Sequence, residues 1–131
     1  MADVLILVAS KGMNVQLGEK LAAEVEAQNG SCEVINLVDL ELPLYPTESE
    51  EAKTKAIELT ETVQNSGSII AVAPEYNGSL PPAFNNALAW ISTSTEDWRA
   101  AFNNKPAAVA THSGGGGAHV LMAMRSQLAF I

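Results

Sequence analysis

Aromatic residues make up only 5% of the 131-residue chain, cysteine occurs once, and 7 Lys and Arg face 15 Asp and Glu. Each scarcity excludes something. Cys32 alone cannot build an internal disulfide framework or a cysteine zinc site. A net charge of −8 leaves no fold-wide basic footprint for nucleic acid and no polybasic segment for an anionic membrane surface. No apolar run approaches the ~20 residues of a membrane span. The run Val4 to Ala9, behind an N-terminus without cations, is too short for a signal peptide. These features predict a soluble cytoplasmic domain. What is present is aliphatic: 47% of residues are hydrophobic and only 17% are charged, a composition that supports one core built from Val, Ile, Leu and Ala.

Val4 to Ala9 is apolar without alternation, and so is Ser68 to Ala73 after its leading serine. Runs of that kind read as strands buried on both faces, as in parallel sheets covered by helices. Cys32 to Leu37 and Ala107 to Thr111 read as two further strands. Between them lie helical patterns. Val15 to Gln28 carries Leu17, Leu21 and Val25 on one stripe and is stopped by Asn29-Gly30. Glu48 to Asn65 turns Ala52, Ala56, Leu59 and Val63 inward, and Pro82 to Ser92 has proline in its first turn. A last helix from Ala118 carries Val120, Leu121, Met124 and Leu128. Pro-punctuated Val38 to Pro46 reads as an ordered surface loop. Strand and helix thus alternate four times within one domain, which predicts a doubly wound α/β parallel sheet with strand order 2-1-3-4.

In such sheets ligands bind beyond the carboxyl ends of the strands, where strand order reverses. Three polar loops belong at that edge: Ser10 to Gln16, Pro74 to Ser79, and His112 to Gly117. The first offers Ser10, Asn14, Gln16 and free amides at a helix start, an arrangement suited to a phosphate. Asn14 reads equally well as a helix cap, and Lys11 either adds charge or points into water. Neither GxGxxG nor GxxxxGK[ST] is present, so a mononucleotide fits better than a dinucleotide. The second loop, with its prolines, glycine and Tyr76, is preorganised for a flat ligand, or is simply a rigid turn. In the third, Gly114 to Gly117 permits close backbone approach to a bound group. A Ser–His nucleophile is disfavoured because no GxSxG elbow exists, and His112 and His119 are too few for a metal site.

The segment Pro74-Glu75-Tyr76-Asn77-Gly78-Ser79-Leu80-Pro81, continuing to Asn86-Ala87-Leu88-Ala89-Trp90, resembles the signature of the NADPH-dependent FMN reductases. That flavodoxin-like family includes quinone, azo-dye and chromate reductases, and its usual form is PEYN-x-S-x-P followed by KNA-[IL]-D-W. Asp39 to Tyr45 and Ser113 to Gly117 resemble two weaker family segments. The first loop departs from the usual GS-x-R-x-x-S-x-N: it is one residue shorter, lacks the arginine, and sets Asn14 and Gln16 where the second serine and the asparagine stand. Asn85 and Ala89 replace the usual lysine and aspartate.

The resemblance implies FMN as cofactor and NAD(P)H as hydride donor, with a quinone-like or other small acceptor served by ping-pong transfer. It implies FMN contacts at Ser10, Lys11, Asn14, Gln16 and Leu17 in the first loop. It adds Pro74, Glu75, Tyr76 and Asn77 in the second, Ser113, Gly114 and Gly115 in the third, no catalytic side chain and no metal. A homodimer or homotetramer follows as a further expectation, and so does a fifth strand beyond the 131 residues given. Two alternatives stay open: a flavodoxin-like electron carrier, and a degenerate member that binds no flavin.

Overall fold

The two unbroken apolar runs become the two inner strands of a single sheet. A computed structural model describes residues 1–131. The elements are β1 (Val4–Val8), α1 (Met13–Ala27), β2 (Cys32–Asn36), α2 (Glu50–Asn65), β3 (Ser68–Val72), α3 (Pro82–Ser92), β4 (Ala107–Ala110) and α4 (Ala118–Phe130). The sheet is parallel throughout, in the order β2-β1-β3-β4. Val4 stands beside Cys32 on one side and Ser68 on the other, while Ile69 pairs with Ala107. The expected order and helix placement are observed. β4 lies at the edge, with Ala107 and Ala108 exposed.

Strand residues alternate between two faces. Leu5 and Leu7 point into the main core, where Leu59 and Val63 of α2, Phe84, Leu88 and Ile91 of α3, and Val120 and Met124 of α4 meet them. Ile6 and Val8 point to the opposite face, which α1 covers with Val15, Leu17 and Leu21. One face therefore carries three helices and the other carries one. The deepest line of α1 runs through Asn14 and Gly18 rather than through the leucine stripe, whose members are half-buried. A Cβ on Gly18 would lie 2.7 Å from a Val8 methyl, so glycine is what lets α1 approach the sheet this closely.

Element ends differ from the sequence reading by one or two residues, each for a local reason. α1 starts at Met13, earlier than Val15, because Gly12 accepts the amide of Val15 at 3.0 Å. α2 starts at Glu50 because Ser49 caps it, its hydroxyl accepting from the Ala52 amide at 3.2 Å. All four residues expected to face inward from α2 are buried. The surface loop after β2 is held from α3: Asn86 donates to the carbonyls of Leu42 and Pro43 and accepts from the Tyr45 amide. Trp90, one turn further, donates its indole N–H to the Pro43 carbonyl at 2.8 Å. Asn86 and Trp90 share a helix face, so their spacing in the sequence is that of a two-point clamp.

Candidate functional site

All three predicted loops emerge at the carboxyl edge of the sheet, from β1, β3 and β4. In the first, the Ser10 hydroxyl is buried and accepts the Gly12 amide at 2.9 Å, which bends the chain into α1. The backbone amides of Lys11 and Met13 find no partner within the protein, and Met13 is half exposed. Open N–H groups at a helix start form an anion site. Lys11 is ion-paired with Asp39, both side chains being more than half exposed. Gln16 is exposed on α1, and Leu17 packs against the Ile6–Val8 face.

Asn14 does not cap α1. The N-cap is Gly12, without a side-chain bond, and Asn14 lies beyond it at the second helical position. Its amide is turned toward the third loop instead: Nδ2 donates to the His112 carbonyl at 3.0 Å and Oδ1 accepts the His112 amide at 2.8 Å. At 2% exposure the side chain is committed to the third loop through one N–H and one lone pair, which corrects the reading of it as a helix cap. A partner so distant along the chain leaves no local pattern to read.

In the second loop, Asn77 (φ 52°) and Gly78 (φ 74°) occupy left-handed backbone. Tyr76 and Ser79 exchange both amide–carbonyl bonds at 3.1 Å around them. Asn-Gly with positive φ at both positions is the type I′ hairpin turn, so this stretch is rigid by its own sequence. The turn lifts Tyr76 out to 49% exposure. It also uses the Tyr76 amide, while the Glu75 amide donates to Ser113 Oγ at 2.9 Å. The amides of Glu75 and Tyr76, two residues expected to contact FMN, are thus already paired, and those of Asn77 and Gly78 remain open. Pro74 is half-buried at the end of β3.

The third loop is joined to the second by a hydroxyl chain whose direction is fixed. Thr111 donates to the Ala73 carbonyl at 2.6 Å, so at the 2.7 Å contact between the two hydroxyls Ser113 must donate to Thr111. Ser113 then accepts from Glu75 N–H. The Glu75 carboxylate accepts the Val120 amide at 2.9 Å, satisfying one free donor in the first turn of α4. Ser113 and Glu75, expected at the ligand, thus spend their side chains on holding loops together. Gly114 and Gly115 are exposed, and a Cβ on either would meet nothing within 4 Å. Gly117 is the opposite case: at φ 73° its Cβ would lie 2.3 Å from a Thr111 methyl. No three His, Cys, Asp or Glu side chains converge as a metal site, and no helix is long and apolar enough to cross a membrane.

The edge therefore presents open amides at a helix start, a rigid turn bearing a tyrosine, and an open glycine loop bonded to both. That combination fits a phosphate-bearing ligand with a flat ring. Comparison with known proteins agrees with the geometry. The family model of the NADPH-dependent FMN reductases matches residues 2–131. A quinone reductase of Escherichia coli (strain K12) is 32% identical over 96 residues, 70% of this chain and 50% of the relative. The chain thus spans about half the length of the curated relatives it matches. Among solved structures, FerB of Paracoccus denitrificans, a flavoenzyme NAD(P)H:(acceptor) oxidoreductase, superposes with a TM-score of 0.80 at 24% identity. That superposition covers 99% of this chain and 72% of FerB. An azoreductase from Bacillus anthracis gives a TM-score of 0.65 at 18% identity, covering 98% of this chain and 79% of its own. At such identities both show a shared fold.

Proposed function

The chain belongs to the NADPH-dependent FMN reductase family, and from that premise we propose that it holds FMN across the three loops and oxidises NAD(P)H. The observation that carries this reading is the set of unpartnered amides at one sheet edge, on Lys11 and Met13 at the start of α1 and on Asn77 and Gly78 in the hairpin turn. FMN held there would supply hydride-transfer chemistry between NAD(P)H and a quinone-like or other small acceptor, in ping-pong order.

The chain's own residues bind and orient. The α1 amides and the helix dipole receive the phosphate, and Lys11, in an exposed pair with Asp39, lies at the same turn. Asn77 and Gly78 offer N–H groups to the heteroatom edge of the ring, where they would stabilise the charge gained on reduction. Tyr76 supplies an exposed flat surface beside them, and Gly114 and Gly115 let backbone lie against the ring. No side chain is assigned as a general acid or base.

A cytoplasmic location accompanies this reading. So does a homodimer or homotetramer, a reading supported by the exposure of Leu44, Tyr45 and Ile57. The test is an absorption spectrum after incubation with FMN, followed by NADH and NADPH oxidation with a quinone present. The expected result is a bound-flavin spectrum and turnover with at least one nucleotide. Bound flavin without turnover would instead favour an electron carrier, a role to which the −8 charge is suited through docking to a basic protein. Absence of any flavin spectrum with excess FMN would sink both.

A further inference from the structure

We propose that Asn14 is a positioning residue that locks the glycine-rich third loop to the phosphate-binding first loop. The inference rests on the flavin reading for its consequence but on the geometry for its existence. Asn14 is 2% exposed and engages both polar groups of one peptide unit, donating to the His112 carbonyl and accepting from the His112 amide. A primary amide is the side-chain group that matches a backbone N–H and C=O together. The match fixes the orientation of the amide, because reversing it would set donor against donor and acceptor against acceptor. The third loop has little else to hold it on this side. Gly114 and Gly115 touch nothing that a Cβ would reach, and the Ser113 hydroxyl is committed to Thr111 and Glu75 on the opposite flank. His112 is therefore the point at which the first loop governs the third.

The two roles open to Asn14 predict different ligand dependence. A residue that contacts phosphate matters for FMN and not for riboflavin, which has the same ring without the phosphate. A residue that sets the third loop matters for both. In Asn14→Ala, FMN and riboflavin affinities should fall by the same factor, about tenfold or more for two lost hydrogen bonds. In Asn14→Ser the loss should persist, since one hydroxyl cannot span both groups, whereas a phosphate contact would survive in serine. Asn14→Asp supplies a conservative rescue. The ionised carboxylate keeps the bond from the His112 amide but faces its carbonyl with a second acceptor, while the protonated form can donate to that carbonyl. Riboflavin affinity of this variant should therefore recover as pH falls through the carboxyl's titration, which burial places above its ordinary ~4.

A flavin-free readout separates this proposal from the functional one. Hydrogen exchange in the ligand-free protein should show the His112 and Gly116 amides, the two in this loop with hydrogen-bond acceptors, exchanging at least tenfold faster in Asn14→Ala than in wild type, with β1 and β3 unchanged. Should wild type bind neither flavin, the functional reading fails, and hydrogen exchange still decides the lock. Loss of FMN binding alone, with riboflavin affinity and exchange at His112 and Gly116 both unchanged, would overturn it. If Asn14→Ala does not fold, Asn14→Ser and Asn14→Asp carry the same comparisons.

Discussion

Replacing Gly117 by alanine should be the most damaging single-methyl change available near the site. Three costs add. A non-glycine residue in the left-handed region costs about 1–2 kcal/mol, and Gly117 sits there at φ 73°. The new Cβ would lie 2.3 Å from the Thr111 methyl, a contact no real structure holds, so Thr111 must turn. Turning breaks its hydroxyl bonds to the Ala73 carbonyl and Ser113, at about 1 kcal/mol net each. The sum is about 3–4 kcal/mol, a large share of the ~5–15 kcal/mol that holds a domain folded. Urea unfolding should register it as a midpoint lowered by roughly 2 M. Gly115→Ala is the control, since its Cβ meets open space and its φ is ordinary; it should be neutral within about 0.5 kcal/mol or slightly stabilising. Thr111→Ser deletes the clashing methyl and keeps the hydroxyl. Combined with Gly117→Ala it should restore about 1–2 kcal/mol in a double-mutant cycle. Equal midpoints for Gly117→Ala and Gly115→Ala, or a cycle with no coupling, would refute the reasoning.

Tyr76→Ala should weaken FMN binding and leave the thermal midpoint within a few degrees, because the ring is half exposed and the type I′ turn is held by backbone; unfolding without a specific flavin effect would contradict this. Asn86→Ala removes three hydrogen bonds to the Leu42–Tyr45 segment and should cost about 2–3 kcal/mol, whereas Trp90→Phe removes one and should cost about 1 kcal/mol; hydrogen exchange at Tyr45 should rise more in the first variant, and the reverse order would rule out the clamp. Asp3 accepts bonds from the Ser31 amide and hydroxyl, and the backbone bond is the chief reason its carboxyl lies below the ordinary range. A depressed folded-state value means this contribution is complete above the unfolded value near ~4 and is lost as pH falls below it; Asp3→Asn should flatten that part of the stability–pH curve, and an unchanged acid limb would count against the link.

How far the sequence reveals the molecule depends on the range of each interaction. β1 and β3 are legible because burial on both faces writes an unbroken apolar run into each, Val4 to Val8 in one and Ile69 to Val72 in the other. α2 is legible because its buried line, Ala52, Ala56, Leu59 and Val63, repeats at helical spacing. The Asn77-Gly78 turn can be read from two residues. What stays hidden is long-range and polar. Asn14 sits where a cap or a phosphate contact is the natural local expectation, yet its partner is His112, far along the chain and opposite only once the sheet is formed. Ser113 and Glu75 lie in the right loops, but which way each side chain faces depends on Thr111 and on the first turn of α4. α1 is half legible: its leucine stripe marks the face, while Gly18 marks the closest approach and carries no hydrophobic signal.

Of the four strands, β1, which lies inside the sheet, is synthesised before the others. β1 finds β2 after one helix, so β1–α1–β2 can close as a unit, but its other edge pairs with Ser68–Val72, which is made only after α2. Through that interval Leu5 and Leu7 have no α2, α3 or α4 to cover them, and the more heavily covered face of the finished protein is the bare face of the nascent one. An unpaired apolar edge on a partly made chain invites chaperone capture or self-association. Ribosome-bound chains stopped with residues up to Gly67 outside the exit tunnel should engage a holdase more strongly than chains stopped with α4 outside, and equal engagement would show that the order of synthesis leaves no such gap.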